Sequence, residues 1–65
     1  MRKKLKKARK EKGFFQSEVA KIINVSERQY RRLEAGESDT SGDNWIRIHE
    51  YLDKIYPLED MMKNT

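Results

Sequence analysis

Residues 16–36, QSEVAKIINVSERQYRRLEAG, decide the fold, because they read as two short helices meeting at one tight corner. Over residues 16–23, Val19, Ala20 and Ile23 recur at the i, i+1, i+4 spacing that makes one apolar stripe, and Lys21 falls on the opposite, wet side. Asn24 breaks that pattern. After Gly it is the residue that most readily enters the left-handed conformation a helix needs in order to stop sharply. Val25 then plugs the inside of the corner, and Ser26 can offer its hydroxyl to the free N–H groups of a second helix that begins at Glu27. Gly36 suits a left-handed stop at the far end of that helix.

At roughly 100° per residue, Tyr30 and Leu33 of the second helix point to one side with Glu34 beside them. Arg28 and Arg32 point the other way, with Glu27 and Arg31 on one flank and Gln29 on the other. These are side chains able to read base edges and hold phosphates. A merely solvated face is the competing reading of any charged run. The short corner favours the functional one, since a solvated helix needs no such fixed presentation.

Residues 1–12, MRKKLKKARKEK, read as a helix whose inward positions are Leu5 and Ala8, with Arg9 on the same face and able to reach Glu34. Arg2, Lys3 and Lys4 are the candidates for phosphate contact, and the remaining cations raise the local potential. Two apolar residues cannot anchor such a helix in a bilayer. Gly13 ends it. Phe14 is expected to fill the core under the corner and Phe15 to be partly exposed, neither as a base-stacking platform. After Gly36, ESDTSGD is a loop of turn formers. Ser41 or Thr40 should cap the next helix, whose stripe of Trp45, Ile48, Leu52 and Ile55 is assigned to the core, with a dimer contact as the alternative for Trp45. Pro57 forces Tyr56 out of helical geometry and should stop this helix there. Residues 58–62, LEDMM, form a last short helix that closes the domain or offers an edge to a second copy, and residues 63–65 should fray.

Sixty-five residues suffice for one domain, 1–65, with a thin and marginally stable core. There is no cysteine and no metal-ligand cluster, so neither disulfide nor zinc staples it, and self-association is the remaining common remedy. Apolar runs reach two residues, which excludes a membrane span and a signal peptide; a soluble cytoplasmic protein is expected. The net charge of +4 is unevenly spread: +7 over residues 1–12, +1 over 13–36 and −4 over 37–65. A basic front of this kind attracts a polyanion at long range and makes binding salt-dependent. His49 has no second His or Cys to join it and reads as a lone surface histidine, and no glycine-rich phosphate loop occurs. No enzyme activity, metal or cofactor is expected.

The spaced residues Arg9, Gly13, Gln16, Ala20, Val25, Ser26, Leu33, Glu34 and Gly36, in RKEKGFFQSEVAKIINVSERQYRRLEAG, resemble the phage repressor and Cro, or XRE, family of helix-turn-helix proteins over about residues 5–61. More narrowly, SERQYRRLEAG followed by a Trp that opens another helix is similar to small regulators of phages and mobile elements in Gram-positive bacteria. The resemblance implies an all-α, five-helix, lambda-repressor-like bundle, with the helix-turn-helix motif at residues 16–35 and helix 27–35 docked in the major groove of double-stranded DNA. It implies base contacts from Glu27, Arg28 and Arg32, and backbone contacts from Gln16, Ser26, Gln29 and Arg31. It also implies a partly buried structural ion pair between Arg9 and Glu34. The function so implied is transcriptional regulation, as a nucleoid-associated repressor of a phage or mobile element that binds a palindromic operator as a homodimer. No small-molecule effector is expected, for want of a sensor domain. Two positions depart from the family pattern: Phe15 stands where Thr or Ser usually caps the first helix of the pair, leaving Glu18 without a hydroxyl partner, and Asn24 replaces the commoner Gly. The rival reading is a protein-interaction module, an antitoxin or anti-repressor whose acidic second half docks a basic partner. RNA binding is weaker, because the aromatics are expected inside.

Overall fold

The computed structural model describes residues 1–64 and contains five helices and no strand among them: α1 (Lys3–Glu11), α2 (Gln16–Ile22), α3 (Glu27–Ala35), α4 (Gly42–Tyr51) and α5 (Leu58–Met62). Leu5 and Ala8 of α1, Val19 and Ala20 of α2, Tyr30 and Leu33 of α3, Trp45 and Ile48 of α4, Leu52 and Met61 close one common core. Helix α1 lies against α5 and α3, α2 packs on α3 and α4, and α4 rests on α5. The motif helices are thus backed by the other elements, and the outer face of α3 is left to solvent.

The corner between α2 and α3 is built by local chemistry. Asn24 takes φ 58°, the Val25 N–H donates to the Ala20 carbonyl at 3.0 Å and the Asn24 N–H to that of Lys21 at 3.1 Å. That is the pair of hydrogen bonds of a left-handed helix stop. Ser26 then caps α3: its Oγ accepts from the Gln29 N–H at 3.1 Å, while Gln29 Oε1 accepts from the Ser26 N–H at 3.0 Å, a reciprocal box. Gly36 closes the helix at φ 83°, with the Glu37 N–H on the Arg32 carbonyl at 2.9 Å. At the start of α2, Phe15 has no side-chain acceptor, yet Glu18 Oε1 still accepts the Phe15 N–H at 2.9 Å, so half of a box forms without the hydroxyl.

Several expectations shift. Phe15 is 74% exposed, and Phe14 is half-buried, stacked on Tyr51 with ring centres 4.6 Å apart. The assignment of Trp45 to the core holds, since it is 1% exposed and has no surface to offer a second copy. Helix α4 ends at Tyr51, well before Pro57, and Ile55, expected inside, is 38% exposed. The cause is a second left-handed stop: Asp53 and Lys54 take φ 57° and 53°, and the Lys54 N–H donates to the His49 carbonyl at 2.8 Å. The reversed chain is held there by Tyr56, whose carbonyl accepts from His49 Nε2 at 2.8 Å and whose hydroxyl donates to Glu11 at 2.7 Å. His49 is therefore a half-buried brace of the loop rather than a bare surface histidine.

Candidate nucleic-acid interface

Helix α3 buries Tyr30, Leu33 and Glu34, and the rotation of an α-helix then turns Arg28, Arg31, Arg32 and Ala35 outward; all four are exposed. Arg28 takes part in no ion pair among the described residues. Arg31 pairs with Glu27 one turn earlier, and Arg32 lies 3.8 Å from Glu37. Side chains in both pairs are largely in water, where such pairs contribute about 0–1 kcal/mol. Either arginine can therefore exchange its carboxylate for a phosphate or a base edge at little cost. Ser26 and Gln29 spend their oxygens on the cap, which leaves the Gln29 amide N–H₂ pointing outward at the flank.

Beneath this face lies a buried charged cluster. Arg9 Nε and Nη2 donate to Glu34 Oε2 and Oε1 at 2.9 and 3.0 Å, and Nη1 donates to the Phe14 carbonyl at 2.9 Å. Glu34 is 2% exposed. Its hydrogen bond holds the Arg9 guanidinium above its ordinary pKa. Gln16, half-buried at the start of α2, brings Nε2 to 3.5 Å from Glu34 Oε1, so the amide belongs to this cluster and stands at a helix N-terminus at once. Helices α1, α2 and α3 are therefore fixed to one another by one carboxylate.

The basic first segment divides. Arg2, expected on a phosphate, is instead 6% exposed and spends its donors on carbonyls inside the molecule: Leu33 at 2.6 Å, Ser38 at 2.7 Å and Met62 at 3.0 Å. Its planar five-donor fork can satisfy several helix-end carbonyls together, which water would otherwise have to reach. Lys3 and Lys4 are exposed but line a shallow groove with Asp60 and Lys63, and Lys4 Nζ sits 4.6 Å from the centre of the Tyr56 ring. Lys6 and Lys10, which the charge count did not single out, line one open groove on α1 with Lys3, Lys7 and Glu11.

Among the described residues no cluster of His, Cys, Asp and Glu could hold a metal ion, and no helix is long and apolar enough to cross a membrane. A helix such as α3 is about 10–12 Å across with its side chains, a diameter that a major groove about 12 Å wide admits. A capped elbow that carries a short arginine-faced helix on an all-helical base defines a DNA-binding regulator of transcription. Residues 5–59 match the family described as Helix-turn-helix, and the chain belongs to that family, in its XRE-type, lambda-repressor-like form. No curated protein and no solved structure matches the chain at a significant level.

Proposed function

We propose that this protein is a sequence-specific repressor of a phage or other mobile element, reading its operator with α3. Glu27, Arg28 and Arg32 face the bases, with Arg28 and Arg32 suited to the paired acceptors of guanine and Glu27 to the amino group of cytosine. Gln16, Ser26, Gln29 and Arg31 hold the phosphates on either side. One small domain gives weak half-site recognition, so two copies bind a palindromic operator with half-sites about one helical turn apart. The observation that carries this reading is Arg28: an exposed guanidinium with no ion pair among the described residues, on a helix whose start and stop are both fixed by caps.

Selection of bound duplexes from random sequence, at two salt concentrations, tests it. A single enriched palindrome is expected. On that duplex Arg28→Ala should lose roughly 1–3 kcal/mol and relax the preference at one position in each half-site, with a much smaller loss on scrambled DNA. Equal losses on both duplexes would remove Arg28 from base reading. If no sequence is enriched and the chain instead captures a basic protein partner, the interaction-module reading replaces this one.

A further inference from the structure

Arg2 sits where the segment before α1 meets the C-terminal ends of α3 and α5. Beyond its bonds to the Leu33, Ser38 and Met62 carbonyls, its backbone N–H donates to the Glu34 carbonyl at 2.9 Å, and its guanidinium carbon lies 5.2 Å from the centre of the Trp45 ring. Nη2 stands 3.7 Å from Asp39 Oδ1, the same oxygen that accepts the Trp45 indole N–H at 3.0 Å and the Thr40 N–H at 2.8 Å. The Gly36 carbonyl takes a further bond from Asn64 at 2.9 Å. Leu33 and Glu34 are in the last turn of α3, where intrahelical donors run out and the turn would otherwise fray. Arg32 is in that turn too, and its carbonyl and guanidinium both meet Glu37 of the loop that Arg2 anchors.

We propose that Arg2 is a positioning residue for base recognition: it touches no DNA, and it sets the place of Arg32 by fixing the last turn of α3 and the loop at 37–41 against Trp45. The inference rests on the reading of α3 as the base-reading helix. A recognition side chain must be held within about 0.5 Å of its productive place by a locked supporting shell, and Arg2 with Asp39 and Trp45 is that shell for the C-terminal end of α3. A purely structural arginine would lower stability without altering which sequence is preferred. An arginine on a phosphate would weaken all DNA alike.

The experiment compares wild type, Arg2→Ala, Arg2→Lys and, as a control, Ile48→Val, a buried position of α4 outside this hydrogen-bond network. Each protein is titrated with the best duplex recovered by selection and with a scrambled duplex of the same composition. Titrations are made at two salt concentrations and below each protein's melting temperature. Arg2→Ala should reduce the ratio of the two affinities about tenfold, with the slope of log K against log salt unchanged. Arg2→Lys, which keeps the charge and loses the fork, should fall between, and Ile48→Val should lower the melting temperature and leave the ratio alone. If Arg2→Ala does not fold, the comparison rests on Arg2→Lys and on Trp45→Phe, which keeps a ring under Arg2 and removes the N–H that holds Asp39. An unchanged ratio in the Arg2 variants, or a salt slope lowered by about one on both duplexes, overturns the proposal. A wild-type protein with no sequence preference overturns the proposed function and this inference together, whereas a selective wild type with equally selective Arg2 variants overturns this inference alone.

Discussion

Tyr30 carries a buried hydroxyl with no hydrogen-bond partner, beside the Arg9–Glu34 pair. Burial is the main reason its pKa is pushed far above the ordinary value, and the Glu34 carboxylate adds to it. A desolvated, unsatisfied hydroxyl costs about 1–3 kcal/mol, so Tyr30→Phe should be neutral or up to about 1 kcal/mol stabilising near pH 7. The sign with pH follows from linkage. With the folded pKa raised, the neutral ring's contribution is fully present below the unfolded value of about 10, and is lost as pH rises beyond it and the unfolded chain ionises. Thermal melts at pH 8 and pH 11 should therefore show wild type falling further than Tyr30→Phe; an equal fall would mean that Tyr30 is not shielded. None of this was legible in the spacing, which put the ring inward but could not say where its oxygen would end. Arg2 was misread for a related reason, since a count of charge treats all cations in residues 1–12 alike. The chemistry did distinguish them: in that segment the two arginines are the buried cations and none of the six lysines is buried. A guanidinium among lysines is the fork that can bind several carbonyls at once.

Helix stops divide into those the residues announce and those the tertiary structure imposes. Asn24 and Gly36 are left-handed formers, and α2 and α3 end at them, so the corner and its presented face were legible in the order of residues alone. The stop of α4 was not, because Asp53 and Lys54 are weak left-handed formers and the apolar stripe ran on to Ile55. What wins there is the brace of Tyr56 on His49 and Glu11, which turns the chain back so that Met61 can be buried. Two non-glycine residues at positive φ carry strain, and Gly at the first of them would relieve part of it. Asp53→Gly should raise stability by about 0.5–1 kcal/mol, less the small loss of the exposed Lys12–Asp53 pair. The measurement is a denaturant titration in which the midpoint rises with the slope unchanged. A lower midpoint would show that the ion pair, and not the backbone, governs this turn.

The total charge could be counted from the sequence, but its direction in space could not. Near the α4–α5 loop the basic helix meets acid: Lys12 pairs with Asp53, Lys3 and Lys4 share a groove with Asp60, and Lys4 and Lys7 lie over Tyr56, which is bonded to Glu11. No ion pair among the described residues involves Lys6 or Lys10, which share an open groove with Lys3, Lys7 and Glu11. The positive charge of α1 is thus partly paired near the α4–α5 loop and left unpaired at Lys6 and Lys10. Charges that act through their field release counterions from any duplex and carry no sequence information. Replacing Lys6 and Lys10 together by Ala should therefore weaken the selected and the scrambled duplex to the same extent and reduce the salt slope by about 1–2, while Lys4→Ala should change either quantity little. Gel-shift titrations across four salt concentrations read both. A Lys4 variant as damaging as the Lys6 and Lys10 pair would mean that the duplex spans the whole outer face of α1, and the docking of α3 would then have to be tilted to bring that face down onto the backbone.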